Sequence, residues 1–306
     1  MELPLVSVIC ACYNQSQFII EGLESVKNQT YKNLEIIIWD DASKDKSVSI
    51  IEKWIEENSN LNIRFIRNVE NLGLCKSLNN AYSYATGKYL QILALDDILL
   101  SDKIERHVSI LECSGDLDAL VFSDAYLIND ESEYYQNKFI AYHKKYLSVN
   151  SENFYQELLE ANFIPTMSIL YKKSIFEQVG LWDENLIYED YDMMLRISKE
   201  YNFIFDETPA VKYRIHAKNS HKSLVKKMGE STFALKLKHI GINENVDKFL
   251  KEYIIQKYLT FELNGEQDRY FNFVPVANIR DKWISKNKNQ FFYKLLSLLI
   301  RVKNRL

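Results

Sequence analysis

The sequence predicts an α/β protein: a mostly parallel central sheet with helices on both faces, followed by a helical C-terminal region. Three observations carry this. Apolar strand-like runs and amphipathic helical stretches alternate five times over residues 1–124, with short connections. The strand runs are nearly unbroken in Val, Ile and Leu, as strands covered on both faces require. Beyond about residue 220 the pattern turns helical and stays so.

Residues 5–11 (Leu-Val-Ser-Val-Ile-Cys-Ala) form the first strand, which leads into a polar corner at Tyr13-Asn14-Gln15-Ser16. Residues 18–28 read as a helix with Ile19, Leu23 and Val26 on one face. A second strand, 34–39, ends in Asp40-Asp41, and a helix follows through Val48, Ile51, Trp54 and Ile55, with Asp45 or Ser47 as its cap. Residues 63–66 are a short third strand, 68–73 a loop, and 74–85 a helix that Gly87 ends. The fourth strand, 89–95, is followed by Asp96-Asp97 and a helix over 102–113. The fifth, 119–122, ends at Ser123-Asp124.

After Asp124 the rhythm breaks, and residues 125–150 show no period, which predicts a long loop. A helix over 151–161, a strand over 167–171 and a short helix closed by Gly180 come next. Then Glu189-Asp190 stands just before a helix over 191–201, and short strands at 204–205 and 211–215 lead to His216. Helices are expected over 233–240, 246–263 and 291–302. The expected division is a domain 1–220, with halves of about 1–124 and 125–220, and a helical region 221–306.

Composition bounds the partners. Apolar residues at 47% and charged residues at 26% describe an ordinary globular chain, and a net charge of −4 gives no nucleic-acid signal. Cys10 and Cys12 share one strand face, so with Cys75 and Cys113 they read as reduced thiols and not as a metal-binding Cys-x-x-Cys pair. The N-terminal apolar run has no basic lead and no cleavage site, and no run reaches the roughly 18 residues that a membrane span needs. A cytoplasmic protein is expected.

Strand-end acids carry the chemistry. In a sheet of this kind ligands bind beyond the carboxyl ends of the strands. Asp40, Asp41, Asp96, Asp97 and Asp124 all fall there on this reading. Adjacent acids also serve as turns and caps. Five at one edge, however, repel one another unless a cation or a donor-rich ligand compensates. Neither a Gly-x-x-x-x-Gly-Lys-Ser/Thr loop nor a Gly-x-Gly-x-x-Gly turn is present to cradle phosphate. A carboxylate-bound Mn²⁺ or Mg²⁺ holding a nucleotide diphosphate is the expected alternative.

Seven elements in order then carry a resemblance. They are Val-Ser-Val-Ile-Cys-Ala-Cys-Tyr-Asn at the first strand, Trp-Asp-Asp-Ala-Ser-Lys-Asp after the second, Asn71-Leu-Gly near the third and Leu-Asp-Asp after the fourth. Gly180-Leu-Trp-Asp-Glu, Glu189-Asp190-Tyr-Asp and Tyr213-Arg-Ile-His216 complete them. From Val6 to about His216 the chain resembles a family 2 glycosyltransferase of the GT-A fold, inverting and nucleotide-sugar-dependent.

The resemblance implies roles position by position. Tyr13 and Asn14 would border the nucleobase with Asn71 nearby, and Asp40 or Asp41 would bond a uracil or thymine N–H. Asp96 would approach the ribose or the metal, Asp97 would be the direct metal ligand, and His216 would add to the metal or diphosphate. Asp190 would be the base that deprotonates the acceptor hydroxyl. The partners implied are a nucleotide-sugar donor and a saccharide or lipid-linked acceptor in cell-surface polysaccharide synthesis.

The chain departs from the family pattern at Ala94, where many members have another Asp, and it lacks the Gln-x-x-Arg-Trp element of processive synthases. Transfer of single sugars is therefore expected. Ala94 also leaves open a catalytically silent nucleotide-binding subunit, whereas a sugar-phosphate nucleotidyltransferase would need an N-terminal Gly- and Arg-rich loop that is absent. Residues 290–306 mix Phe and Leu with Lys294, Arg301, Lys303 and Arg305. This tail reads either as a peripheral contact with an anionic membrane or as a helix packed on the protein.

Overall fold

A computed structural model describes residues 3–142, 154–217, 219 and 225–259. The chain divides into two compact units, Met1–Thr232 and Phe233–Leu306.

The first unit is built on a nine-stranded sheet in the order β3-β2-β1-β4-β8-β6-β9-β5, with β7 paired to β6. Strands β1 (Val6–Cys12), β2 (Leu34–Asp40), β3 (Ile63–Arg67) and β4 (Tyr89–Ala94) are mutually parallel. Next to β4 lies β8 (Leu170–Lys172), antiparallel to β4 and to β6 (Asp118–Ile128). Beyond them β9 (Asn202–Arg214) runs parallel to β6, and β5 (Ile98–Leu99) closes the order antiparallel to β9. β7 (Tyr134–Lys138) folds back on β6.

The helices follow the apolar periodicity. In α1 (Ile19–Lys27) the residues Ile19, Leu23 and Val26 are buried, and in α2 (Ser47–Glu57) Val48, Ile51 and Trp54 are. Of these, Ile19, Leu23, Val26, Ile51 and Trp54 join Ile104, Val108 and Leu111 of α4 (Lys103–Glu112) in one core against Val8, Cys10, Ile36 and Ile38 of the sheet. The alternate residues Ile9 and Ile37 are also buried and point the other way, as a strand covered on both faces requires. α3 (Leu74–Tyr82) packs on β1 and β2. Further helices among the described residues of this unit are α5 (Phe139–Tyr142), α6 (Phe154–Glu160), α7 (Ile175–Val179) and α8 (Asp190–Ile197).

Four expectations need correction. β6 does not end at Asp124 but runs on to Ile128 and turns back into β7, so part of the expected loop is a hairpin. The Asp124 carboxylate accepts the Ile140 N–H at 3.0 Å and serves α5 rather than a strand-end cluster. The two short strands after residue 203 are one long strand, β9, irregular where Ser123 and Ala125 of β6 face it. Gly87 does not close α3, which stops at Tyr82. Its role is close approach: a Cβ there would lie 2.7 Å from Leu5 O and Ser7 N.

α9 (Val225–Leu237) begins in the first unit. In the second, α10 (Glu244–Leu259) contributes buried Val246, Leu250 and Ile254, and the Lys236 ammonium sits 4.6 Å from the centre of the Tyr253 ring. The expected helix over 291–302 and the basic tail 290–306 lie outside the described residues. Among the described residues no helix is long and apolar enough to cross a membrane.

Candidate active site

The sheet order reverses at β1, which has β2 on one side and β4 on the other. The crevice beyond the carboxyl ends of those strands is where such sheets bind ligands. In register, Cys12 pairs with Asp40 and Ala11 with Ala94, so the segments after β1, β2 and β4 leave the sheet side by side.

After β1 and β2 the two corners lock together. Ser43 Oγ accepts the Asn14 N–H at 2.9 Å, while Asn14 Oδ1 accepts the Lys44 N–H at 2.8 Å. Ser47 Oγ and Asp45 Oδ2 take the N–H groups of Gln15 and Ser16. Asn14 and Ala42 both have left-handed backbones, with φ of 54° and 61°. Asn tolerates that region, whereas Ala pays a steric cost there. Tyr13 stands 47% exposed at the rim.

Asp40 and Asp41 do different jobs, which their adjacency hid. Asp41 is consumed by its own surroundings. Its Oδ1 accepts from Asn68 Nδ2 at 2.7 Å, Leu72 N at 2.9 Å and Ser77 Oγ at 3.0 Å, and its Oδ2 accepts from Gly73 N at 3.0 Å. It therefore fixes the 68–73 loop and the start of α3. Asn71 belongs to that loop, its Oδ1 accepting the Gly73 N–H at 3.2 Å. Asp40 spends only Oδ1, on the Ser43 N–H at 2.9 Å. Its Oδ2 is buried and has no hydrogen-bond partner. A buried carboxylate oxygen without a donor is costly and awaits one.

Beyond β4 the two acids again diverge. Asp97 is 3% exposed, and its Oδ1 accepts the Arg214 N–H at 2.9 Å. Burial, and then the charge of Asp96, push its carboxyl well above the usual carboxylate range. Asp96 Oδ2 meets His216 Nε2 at 3.0 Å. The long strand β9 thus brings His216 to Asp96 and the backbone of Arg214 to Asp97. Asn219 fixes the turn, its Oδ1 accepting the His216 N–H at 2.6 Å and its Nδ2 donating to Arg214 O at 3.1 Å.

Arg214 is the residue that the sequence reading passed over. It is fully buried, donates to Asp96 O at 2.9 Å and Asn129 O at 2.8 Å, pairs with Glu21 on α1, and lies 4.6 Å from the centre of the Phe18 ring. Only the Tyr-Arg-Ile-His run hinted at it.

Asp190 opens α8. Its Oδ2 accepts from Thr166 Oγ1 at 2.7 Å and Asn162 Nδ2 at 3.0 Å, and its Oδ1 accepts the Tyr191 N–H at 2.7 Å. Asn162 and Thr166 come from the segment between α6 and β8 and carry no signal in the sequence. Burial, then the Asp190 charge, raise Glu189 to about 8. Burial first, and then the charges of Asp97, Asp96 and Asp190, push the Tyr213 hydroxyl up.

Among the described residues no three His, Cys, Asp or Glu side chains are close enough to hold a metal by themselves. Asp96, Asp97 and His216 fit a different kind of site. A hard cation bound by one or two carboxylates keeps its other positions for water and phosphate oxygens. Asp97, buried beside another acid, is the kind of group that such a cation would compensate.

Known proteins resemble this chain in sequence and in fold. The family model described as glycosyl transferase family 2 matches residues 7–180. An uncharacterised glycosyltransferase of Methanocaldococcus jannaschii is 35% identical over 231 residues, 74% of this chain and 76% of that one. One from Rickettsia prowazekii (strain Madrid E) is 29% identical, over 74% of this chain and 69% of its own length. Among solved structures, S. aureus TarS 1-349 in complex with UDP-GlcNAc has a TM-score of 0.60 at 16% identity, covering 88% of this chain and 79% of that one. The Pyrobaculum calidifontis mannosyltransferase PcManGT, in complex with GDP-Man and Mn²⁺, has a TM-score of 0.60 at 15% identity, covering 97% of this chain and 87% of that one. At those identities the solved structures speak for the fold, which is GT-A. The matched model and the 35% identical relative speak for descent, and by them the chain belongs to glycosyltransferase family 2.

Proposed function

We propose that the chain moves one hexosyl unit, with inversion, from a nucleotide-diphosphate sugar to a hydroxyl of a saccharide or lipid-linked saccharide of the cell surface. The catalytic region is residues 1–220, with a donor half of about 1–124 and an acceptor half after it. The observation that carries the reading is Asp190, whose carboxylate is aimed by Thr166 and Asn162.

On this reading Asp190 takes the proton from the acceptor hydroxyl. The freed oxygen attacks the anomeric carbon as the bond from that carbon to the diphosphate oxygen breaks, and the nucleoside diphosphate leaves. Asp40 receives the nucleobase through its unpartnered Oδ2, an acceptor suited to the imino N–H of uracil or thymine. Tyr13 offers its exposed ring to the base, with Asn14 and the Asn71 loop at its border. Asp97, Asp96 and His216 would hold the divalent cation, Mn²⁺ or Mg²⁺, whose charge neutralises the leaving diphosphate. Asp41 supports the base-binding loop without touching the donor.

Donors bound by the similar structures carry uracil or guanine. The test is a mass-spectrometric screen of UDP-, dTDP- and GDP-sugars with the purified protein. Release of nucleoside diphosphate from a uracil or thymine donor is expected, and Asp97→Ala should abolish its Mn²⁺ dependence. Absence of both turnover and nucleotide binding across the panel would overturn the proposal.

A further inference from the structure

Asn79 sits two-thirds of the way along α3 and makes an unusual contact. Its Nδ2 donates to Trp182 O at 3.0 Å, and its Oδ1 accepts the Trp182 N–H at 3.1 Å. One side-chain amide thus takes both backbone groups of one residue, as a neighbouring strand would. The same Nδ2 donates to Glu184 Oε1 at 3.0 Å. The Trp182 ring is buried, 5.0 Å from the centre of Phe176 and 6.1 Å from that of Tyr82 on α3.

From the other side the same segment is held by α8. Arg196 donates to Val179 O, to Gly180 O at 3.3 Å and to Leu181 O at 2.8 Å, and is itself anchored on Asp192 at 2.8 Å. Residues 179–182 therefore spend their carbonyls on two helices. Eight residues beyond Trp182 stands Asp190.

α3 has a second attachment. Its first turn follows Leu72 and Gly73, whose N–H groups are bound by Asp41 at the nucleobase end. Cys75, one turn before Asn79, is buried, and burial first and then the charges of Glu189 and Asp190 push its thiol up to about 12. A nine-residue helix is stiff over its length of about 13 Å. One end is fixed to the loop assigned to the donor, and its flank is fixed to the segment that leads to the assigned base.

We propose that Asn79 is a positioning residue that ties the Asp190 segment to the donor-side loop through α3, so that the base and the donor are held in one frame. The proposal rests on the reading of Asp190 and the 68–73 loop given above. Asn79 touches no reacting atom. Its effect is geometric, and a displacement of about 1 Å at a base costs on the order of 10²-fold in rate.

The test compares the parent with Asn79→Ala, with Asn79→Asp, which keeps the acceptor for Trp182 N–H and loses the donor, and with Asn80→Ala on the exposed neighbouring position as a control. In the ligand-free proteins, amide hydrogen exchange over 181–190 should quicken at least tenfold in both Asn79→Ala and Asn79→Asp, and not at all in Asn80→Ala. Affinity for UDP and GDP with Mn²⁺ should stay within about twofold of the parent. Turnover of UDP-GlcNAc or GDP-mannose, whichever the parent accepts, should fall about 10- to 100-fold in kcat with donor KM nearly unchanged. Unaltered exchange over 181–190 overturns the proposal, as does a parental kcat or a loss of affinity as large as the loss of kcat. A parent that binds neither diphosphate refutes the functional reading instead, and the exchange comparison still decides whether Asn79 holds the segment.

Discussion

Asp40 and Asp41 are neighbours with opposite fates, and the difference is set by donors rather than by sequence. Four donors converge on Asp41, so Asp41→Ala takes the acceptor from the Leu72 N–H and the buried Ser77 hydroxyl, while the Gly73 N–H keeps Asn71 Oδ1. That change should cost about 1–3 kcal/mol in urea unfolding and quicken amide exchange over 68–74. The next residue, Ala42, holds φ at 61° so that the chain can turn back and present the Ser43 N–H to Asp40. Ala42→Gly removes a steric penalty of about 1 kcal/mol and should raise the melting temperature, with backbone contacts unchanged. The sequence marked a carboxylate pair at this strand end. It carried no sign of which acid was free, because the answer depends on Leu72 and Gly73, some thirty residues away. Asn162 and Thr166 were invisible for the same reason: a polar residue in an aperiodic segment announces no partner.

At the scale of elements, α1 and α8 set the two acidic ends. α1 lies close against the end of β4, where a Cβ on Gly22 would come within 2.8 Å of Leu95 O. Backbone cannot yield cheaply there, so Gly22→Ala should destabilise by roughly 1–3 kcal/mol and weaken nucleotide binding by moving the Asp96 turn. At α8 the relevant group is Glu189, raised to about 8 by burial and by Asp190. The unfolded carboxyl titrates near 4.5. Between these values the folded state binds the extra proton, so this contribution is complete below pH 4.5 and is lost as pH climbs to about 8. Glu189→Gln should therefore melt higher than the parent at pH 8, with the gap closing towards pH 5. Periodicity made α1, α2 and α4 legible, because their apolar faces alternate at helical spacing. It failed for β6 and β9, where Asp124, Tyr126, Lys212 and Arg214 interrupt apolar runs inside strands, although pairing between the two strands holds them extended.

Across the molecule, the parallel half of the sheet was readable because β1, β2 and β4 are buried on both faces and written in Val, Ile and Leu. In the antiparallel half the strand at β8 was legible but not its place, which it owes to β4 and β6 rather than to its own pattern. The core contains one further oddity. Lys103 on α4 is fully buried against Gln91 and Ile169 O, and burial, then Arg106, lower its pKa well below the usual lysine range. A buried amine held only by neutral acceptors costs more than a matching apolar chain, so Lys103→Met should raise the melting temperature at neutral pH. The central claim is that Asp190 begins the chemistry while Asp40, Asp96 and Asp97 hold the donor. It is tested most directly by measuring nucleotide affinity and sugar transfer side by side in the parent and in Asp190→Asn. The account predicts unchanged affinity for the nucleoside diphosphate and a 10²- to 10⁴-fold fall in transfer. Transfer at the parental rate in Asp190→Asn would contradict it.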